Sequence, residues 1–306
     1  MNVRIATRNS PLALWQAEYV KHRLLKETEC NEVTLVAMTT EGDRLLGSSL
    51  AKLGGKGLFL KELENALLDG RADIAVHSMK DVPVEMPDGL SIDTVCSREV
   101  PEDAFVSNSY SNLAELPDGA IVGTSSLRRS TQLKYRYPTL EIKPLRGNVN
   151  TRLAKLDEGQ FDAIILAAAG LVRLDMPERI AEVIDQDISV PAIGQGIVGI
   201  ETREGDFKMI EMLQPLHDAF AWSCLSLERA VGKVLGASCQ APVAVHAKRA
   251  MDGQLEAIAR VGSMDNSVLL EARITGEQSS AMPLGETLAS DLLVNGAADL
   301  LEAFVT

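Results

Sequence analysis

The sequence predicts an α/β protein of two lobes with a hinged cleft, followed by a C-terminal α+β domain with a three-stranded antiparallel sheet. Strand-like and helix-like segments alternate through the first two thirds of the chain, which is typical of α/β lobes with largely parallel sheets. Two segments that contain proline, the polar residues 97–103 and residues 188–193, predict that the chain crosses into a second lobe and returns. Three strand-like runs after residue 217 predict the C-terminal domain.

The first lobe is predicted to begin with a strand at residues 3–7. Ser10-Pro11 then starts a helix, because serine caps helices and proline suits the first helical position. A long loop rich in glycine and serine covers residues 39–57 and precedes a helix at 58–68. The remaining predicted strands of this lobe are residues 33–38, 72–77, 90–96 and 197–202.

The second lobe repeats the pattern, with a helix from Ser126 and another from Val149. Its predicted strands are residues 121–123, 140–142 and 163–167. The C-terminal domain is predicted to contain a long helix to residue 235, a closing helix from 284 and strands at 243–248, 255–261 and 268–275. The predicted domains are therefore residues 1–96 with 197–215, residues 102–191, and residues 217–306.

Composition favours an ordinary globular protein, with 46% hydrophobic and 24% charged residues. The first residues lack the apolar run of a signal peptide, and the longest apolar stretch, 163–172, is too short to span a bilayer. We therefore expect a cytoplasmic protein without a membrane segment. The four cysteines lack CxxC spacing and the four histidines are scattered, so we expect no metal site.

Residues 121–155 form a basic island in an acidic chain. The island holds eight Lys or Arg residues and one acidic residue, whereas the whole chain has a net charge of −13. Apolar residues interleave the basic ones, so we expect folded structure and an anionic ligand, such as a carboxylate or a phosphate. The acidic total and the 4% aromatic content argue against general nucleic-acid binding.

Thr124, Ser125 and Ser126 precede the predicted helix that carries Arg128 and Arg129. Hydroxyl groups, free backbone N–H groups and the helix dipole converge on an anion at such a helix start. Arginine adds two-pronged recognition of carboxylates. A lone pair of arginines is more often a solvated helix face, but the nearby Arg146 and Arg152 favour a binding site.

Two loops could carry chemistry. The Gly-Gly-Lys-Gly segment at residues 54–57 is either a surface loop or a mobile lid whose Lys56 reaches an anion, and the two interpretations weigh about equally. Asp81 lies in a loop after the predicted strand 72–77, where α/β sheets present functional groups. Turn chemistry or a surface ion pair is the plainer interpretation of its Lys80-Asp81 sequence.

Two further segments are distinctive. Residues 194–199 match GxGxxG, but the residues that follow look extended, which indicates a backbone turn at the crossing rather than a dinucleotide site. Cys239 lies among small residues, where it has room for a bulky adduct, although cysteine is often only buried filler. Cys30, Cys96 and Cys224 lie in strand or helix patterns and are interpreted as structural.

Taken together, these segments resemble the porphobilinogen deaminase family, also called hydroxymethylbilane synthases. The resemblance covers essentially the whole chain, and the motifs occur in the family's order. They lie at residues 4–13, 54–57, 76–83, 123–129, 145–152 and from 228 to 239.

The resemblance implies a transferase of tetrapyrrole and haem biosynthesis. Such enzymes join porphobilinogen head to tail with loss of ammonia and release hydroxymethylbilane after hydrolysis. It implies two lobes like those of periplasmic binding proteins, a monomer, and one dipyrromethane cofactor joined by a thioether to Cys239. Ala237-Ser238 stands where the family often has two glycines, and Ile197 stands where alanine is expected.

The resemblance also implies the roles of single residues. Asp81 would be catalytic, because a carboxylate stabilises positive charge that develops on a pyrrole N–H and can pass a proton to the departing amine. The cofactor would contact Cys239, Lys80, Asp81, Thr124, Ser126, Arg128, Arg129 and Arg146. The substrate would contact Arg8, Ser10, Lys56, Arg146, Arg152 and Arg173.

Two other classes of protein explain part of the pattern. A non-catalytic two-lobed anion-binding protein accounts for the predicted hinge and the arginines, but it does not need Asp81 or Cys239. An RNA-binding protein that uses the basic island would show strong salt-dependent RNA affinity and no requirement for Cys239. A covalent pyrrole adduct distinguishes the enzyme from both.

Overall fold

The structure is a computed structural model that describes residues 1–44, 60–237 and 241–304. The chain forms two compact units, Met1–Arg98 with Ile197–Trp222 and Glu99–Gly196 with Ser223–Thr306. The second unit thus contains both the second lobe and the C-terminal region. The division into three domains and the hinged cleft stay predictions.

The described strands, in chain order, are β1 (Asn2–Arg8), β2 (Glu32–Met38), β3 (Ile74–Ser78), β4 (Leu90–Val95), β5 (Asp103–Val106), β6 (Ile121–Gly123), β7 (Glu141–Lys143), β8 (Ala163–Ala167), β9 (Glu182–Val183), β10 (Val198–Arg203), β11 (Val243–Arg249), β12 (Leu255–Gly262) and β13 (Leu269–Gly276). The described helices are α1 (Pro11–Glu27), α2 (Glu41–Arg44), α3 (Lys61–Leu68), α4 (Leu127–Arg136), α5 (Val149–Asp157), α6 (Ala168–Arg173), α7 (Phe207–Leu213), α8 (Ala219–Val234), α9 (Ala281–Val294) and α10 (Ala297–Glu302).

The predicted starts of three helices are confirmed by their caps. Ser10 Oγ accepts the N–H of Ala13 at 3.4 Å, and Pro11 opens α1. Ser126 accepts an N–H in the first turn of α4, and Asn148 does the same for α5. Each cap satisfies a backbone donor that the helix itself leaves without a partner, so the local sequence determines where these helices begin.

The two five-stranded sheets have equivalent strand orders, in which the strand that follows a crossing segment lies fourth. The first sheet runs β2-β1-β3-β10-β4, and the second runs β7-β6-β8-β5-β9. The prediction that 197–202 returns to the first sheet is confirmed by β10. Strand β5 was not predicted, because the sequence pattern assigned its first residue to the crossing segment.

The prediction of largely parallel sheets is wrong, since two of the four pairings in each sheet are antiparallel. Val198, the first residue of β10, pairs with Ser78, the last residue of β3. Asp103, which begins β5, likewise pairs with Ala167 at the end of β8. Each crossing segment therefore enters its sheet at the edge where a parallel strand ends, so the incoming strand must run the opposite way.

The cores follow from this topology. Buried residues of α1, including Ala17, Val20 and Leu24, pack with β1, β2 and β3 in the first unit. In the second unit, the two faces of the sheet bury separate clusters, one with Leu153 and one with Phe105. The predicted three-stranded C-terminal sheet is confirmed, with the order β11-β12-β13 and antiparallel pairing throughout.

Within the described residues, no helix combines the length and the apolar character needed to cross a membrane. The same residues contain no group of three or more His, Cys, Asp or Glu side chains that could hold a metal ion.

Candidate functional site

In the first unit, four predicted site residues lie at one edge of the sheet. Strands β1 and β3 are parallel neighbours, so their carboxyl ends meet at the same edge. Arg8 ends β1 and Ser10 follows it, whereas Lys80 and Asp81 lie in the turn directly after β3. Ligands of open α/β sheets bind outside the carboxyl ends of strands. Lys56, the predicted substrate-binding residue of the 54–57 segment, lies outside the described residues.

Asp81 is exposed at the end of a short 3₁₀ turn, Met79–Asp81. The turn is closed by a hydrogen bond from Val82 N–H to the Met79 carbonyl, at 3.2 Å. Across the part of the chain that the structure describes, the Asp81 carboxylate accepts no hydrogen bond. Asp81 is therefore an exposed carboxylate without a hydrogen-bond partner among the described residues, carried by a turn that has its own backbone hydrogen bond.

In the second unit, the same edge of the sheet collects the polar start of α4 and the loop after β7. Gly123 pairs with Lys143 in parallel strands, and Ser125 Oγ donates to the Leu145 carbonyl at 3.0 Å. These contacts bring three predicted residues to one edge: Thr124, Ser126 and Arg146.

Two more predicted arginines are held by carbonyl groups. Arg152 Nε donates to the Gly147 carbonyl at 2.8 Å, which anchors its side chain on the loop before α5. Arg173 at the end of α6 is buried and donates to the Gly196 carbonyl at 2.7 Å. These hydrogen bonds fix the two side chains relative to the loop before α5 and the crossing turn.

Arg128 and Arg129 are buried, so the interpretation of a solvated helix face does not hold for them. Both bind Asp103. Arg128 donates two hydrogen bonds to the Asp103 carboxylate at 2.8 and 3.1 Å and one to the Val190 carbonyl at 2.6 Å. Arg129 donates to Asp103 at 2.7 and 2.9 Å and to the Ile165 carbonyl at 3.0 Å.

This cluster carries an excess of positive charge, because two guanidiniums share one carboxylate. Burial by itself would raise the pKa of Asp103, but the charges of Arg128 and Arg129 outweigh it and hold that pKa well below its usual range. Asp103 is therefore ionised, and arginine keeps its proton in proteins. One net positive charge remains at the start of α4, where the helix dipole also favours an anion.

Asp103 was missed by the sequence analysis, and so were its other partners. Ser189 Oγ donates to the Asp103 carboxylate at 2.9 Å, and Gln195 Nε2 donates to it at 2.9 Å and to the Pro101 carbonyl at 2.6 Å. Asp103, which ends the first crossing segment, thus binds Ser189 of the second, and Gln195 links it to Pro101 of its own segment. The available signal was an acidic residue placed directly before the apolar run of residues 104–106.

Cys239 lies outside the described residues, but the elements on either side of it are joined. Glu228 of α8 is fully buried, and its carboxylate accepts the N–H of Ala247 in β11 at 2.8 Å and the N–H of Gly194 at 2.7 Å. Glu228 therefore links α8, which precedes Cys239, to β11, which follows it. The other three cysteines are buried, as their structural interpretation predicted.

Two family models match the chain. The model for "Porphobilinogen deaminase, dipyromethane cofactor binding domain" matches residues 3–211. The chain belongs to the porphobilinogen deaminase family. The model for the porphobilinogen deaminase C-terminal domain matches residues 222–294. The family assignment confirms an enzyme of tetrapyrrole synthesis with a dipyrromethane cofactor, so the anion-binding and RNA-binding alternatives fall away.

Solved structures with similar folds are distant from this porphobilinogen deaminase. A putative methionine-binding lipoprotein from Bacillus subtilis is 15% identical, with a TM-score of 0.45, 71% of this chain covered and 90% of that chain. The BvgS periplasmic VFT2 domain from Bordetella pertussis is 19% identical, with a TM-score of 0.43 and coverage of 70% and 86%. An ABC transporter substrate-binding protein from Coxiella burnetii is 16% identical, with a TM-score of 0.45 and coverage of 72% and 94%. The description of the fold rests on the strand order and pairing observed in this chain.

The residues present fit a dipyrromethane group. Pyrroles of this pathway carry acetate and propionate side chains, and the second unit offers an uncompensated positive charge beside hydroxyl groups and a helix start. Arginine and helix N-termini are the partners that carboxylates prefer. The donor chemistry therefore suits a polycarboxylate.

Proposed function

We propose that this porphobilinogen deaminase joins porphobilinogen units head to tail, with loss of one ammonia at each addition, and releases hydroxymethylbilane after hydrolysis. The observation that carries the assignment of its catalytic group is the exposed Asp81 carboxylate. It has no hydrogen-bond partner among the described residues and sits at the carboxyl edge of the first sheet with Arg8, Ser10 and Lys80.

Asp81 acts through its charge and its proton affinity. When ammonia leaves porphobilinogen, positive charge spreads onto the substrate's pyrrole N–H, and the Asp81 carboxylate stabilises that charge as it develops. For proton transfer the same group acts in its protonated form: the carboxyl gives its proton to the departing amine, and the carboxylate that results then faces the positive charge. An exposed carboxylate without an internal partner is available for both tasks.

The basic residues bind acetate and propionate groups. The half-buried Arg146 and Arg152 and the hydroxyls of Thr124 and Ser126 form one group of donors at the edge of the second sheet. Arg128 and Arg129 contribute the net positive charge that Asp103 leaves uncompensated. We assign the remaining contacts to Arg8, Ser10, Lys56, Lys80 and Arg173.

The Cys239 thiol holds the dipyrromethane through a thioether. When bound, this group supplies the primer onto which pyrrole units are added. Glu228 supports the assignment, because its hydrogen bond from Ala247 joins α8 and β11, the described elements on either side of Cys239. Ala237 and Ser238 are small, so they leave room for the attached group.

Intact-protein mass spectrometry of the purified chain tests this proposal. Wild-type protein should carry an added mass of two linked pyrrole units, and Cys239→Ser should lack it. Cys30→Ser is the matched control, because Cys30 is buried in the first unit and should leave the adduct in place. Incubation with porphobilinogen should add further pyrrole units to wild type. A wild-type chain that stays unmodified after this incubation would contradict the proposal.

We also propose that the enzyme acts in the cytoplasm and, as the family resemblance implies, as a monomer. Light scattering coupled to size-exclusion chromatography should give the mass of one chain at micromolar concentration. A mass of two or more chains would contradict the monomer.

A further inference from the structure

The glycine-rich segment of residues 194–199 matches a nucleotide-binding pattern, but its glycines serve other purposes in the fold. Gly194 and Gly196 have positive φ angles of 69° and 86° in the crossing turn, which glycine adopts without strain. The next residues form β10, so the predicted backbone turn is confirmed. Gly199 lies inside β10 without a positive φ, and turn geometry does not explain it.

Gly199 leaves space for the side chain of Met79. A Cβ atom on residue 199 would overlap Met79 Sδ and would lie 3.1 Å from Met79 Cγ. Met79 is only 1% exposed, so its side chain fills the space above Gly199. Glycine inside a strand often marks such a close approach of another group. A larger residue at this position would displace Met79.

Met79 is also the first residue of the turn that carries Asp81. Its N–H donates to the Ile197 carbonyl at 3.0 Å, and its carbonyl accepts from Val82 N–H. The start of the turn is therefore tied to the segment that enters β10, both by a backbone hydrogen bond and by the buried side chain.

The Asp81 side chain has no hydrogen bond of its own within the described parts of the chain. Its position is therefore set by the backbone of the turn. The position of that backbone depends on how Met79 packs against β10. A change of about 1 Å in the position of a catalytic group can lower a rate by about 100-fold.

We propose that Gly199 is a positioning residue for the reaction: the open surface of β10 at Gly199 receives Met79 and thereby holds Asp81 where it meets the substrate. This role rests on the proposed function of Asp81. It assigns the third glycine of the segment to catalytic geometry rather than to nucleotide binding.

The variant Gly199→Ala tests the proposal, because a positioning role predicts a fall in kcat with little change in KM. We expect kcat for porphobilinogen to fall by about 10- to 100-fold, because Asp81 is displaced. KM should change by less than about 3-fold and the dipyrromethane mass should be retained, because Lys80 is, besides Asp81, the one assigned binding residue in the displaced turn and the binding arginines of the second unit are untouched.

Gly276→Ala is the matched control. A Cβ atom there would lie 2.7 Å from Leu284 Cδ2, inside the C-terminal sheet and its helix, so it tests crowding without a link to Asp81. Its kcat should stay within about 2-fold of wild type even where its stability falls as much as that of Gly199→Ala. An equal fall of kcat in both variants would overturn the proposal.

A double-mutant cycle with Met79→Ala isolates the contact. Met79→Ala removes the two atoms that would crowd a Cβ at residue 199 and, of the three nearest atoms, leaves only Ile92 Cγ2 at an ordinary 3.5 Å, so adding Gly199→Ala in that background should lower kcat by less than about 2-fold. An unchanged kcat in Gly199→Ala, or the same loss in both backgrounds, would overturn the positioning role. If Gly199→Ala does not fold, Met79→Ala alone tests the proposal. Loss of the Met79 side chain should loosen the turn, so kcat of this variant should fall while its KM stays unchanged. A wild-type kcat in Met79→Ala would refute the proposal.

Asp81→Asn, assayed in parallel, separates this proposal from the proposed function. Near-normal turnover of Asp81→Asn would refute the role of Asp81, whatever Gly199→Ala does. A large loss in Asp81→Asn with wild-type kcat in Gly199→Ala would refute only the positioning role of Gly199.

Discussion

Asp81 of the first unit and Asp103 of the second both lie at the carboxyl edge of a five-stranded sheet with the same strand order. Their surroundings are opposite. Asp81 is exposed, and its carboxylate accepts no hydrogen bond from the described residues. Asp103 is fully buried and accepts hydrogen bonds from Arg128, Arg129, Ser189 and Gln195.

The difference shows that one sheet arrangement places an aspartate in two opposite environments. A buried carboxylate with all its bonds made organises the structure, because removing it leaves buried cations without a partner. An exposed carboxylate with no bonds contributes little to stability but is free to meet a substrate. Substitution of Asp103 should therefore lower mainly stability, and substitution of Asp81 should lower mainly activity.

The largest effect is expected for Asp103→Asn, which leaves two buried guanidiniums without their carboxylate. We expect a loss of about 3–5 kcal/mol in the free energy of unfolding, measured by urea denaturation. Asp157→Asn is the control, since Asp157 pairs with Arg179 near the surface and should cost at most about 1 kcal/mol. Equal losses in the two variants would show that Asp103 does not organise the second unit.

Asp81→Asn should give the converse result. We expect kcat for porphobilinogen to fall by about 100- to 1000-fold, because the neutral amide cannot stabilise developing positive charge. The free energy of unfolding should stay within about 0.5 kcal/mol of wild type, since the side chain is exposed. Steady-state kinetics and urea denaturation check the two statements. A stability loss as large as that of Asp103→Asn would remove the distinction between the aspartates.

The pH dependence of stability sharpens the comparison. Arg128 and Arg129 hold the pKa of Asp103 below its usual range, so its contribution is complete above the unfolded-state pKa of about 3.9 and is lost as the pH falls further. Each such group contributes a slope of up to about 1.4 kcal/mol per pH unit.

Urea denaturation at several pH values between 7 and 3 should therefore show a steeper acid loss in wild type than in Asp103→Asn. The expected difference between the two proteins is constant above about pH 5 and shrinks below about pH 4. A difference that is the same at pH 3 and pH 7 would contradict the role assigned to the buried ion pairs.

The smallest effects are expected for the helix caps that occupy equivalent places after β1 and β6. Ser10→Ala and Ser126→Ala should each cost about 1 kcal/mol in the free energy of unfolding, because each removes a cap. Both should also raise KM for porphobilinogen by about 2- to 10-fold, through the loss of one hydrogen bond to a carboxylate.

Asn148→Ala is the control for the caps. Asn148 caps α5 but has no predicted contact with the ligand, so its loss should lower stability by a similar amount and leave KM unchanged. A rise of KM in all three variants would show that capping alone, and not ligand binding, accounts for the effect.

Local pattern was sufficient for much of the fold. Ser10, Ser126 and Val149 marked helix starts that the structure confirms, and the three strands of the C-terminal sheet lay where alternation predicted them. Caps and periodicity act between residues at most a few positions apart, so a single sequence displays them. The motifs for Asp81 and Cys239 also lay within short segments.

The direction of the strands could not be predicted from local pattern. The apolar runs of β5 and β10 do not show on which side the chain enters the sheet, and both strands run antiparallel to their neighbours. Only the path of the two crossing segments determines this, because the same run of side chains fits either direction.

The sequence by itself determined the family and most of the elements, and it predicted which residues carry the chemistry. Tertiary structure decided which of those residues are buried and with which partner. Asp103 and Arg128 lie 25 residues apart, and Met79 meets Gly199 only because β3 and β10 pair. Such contacts depend on the packing of distant segments, and no local pattern of charge or hydrophobicity records them.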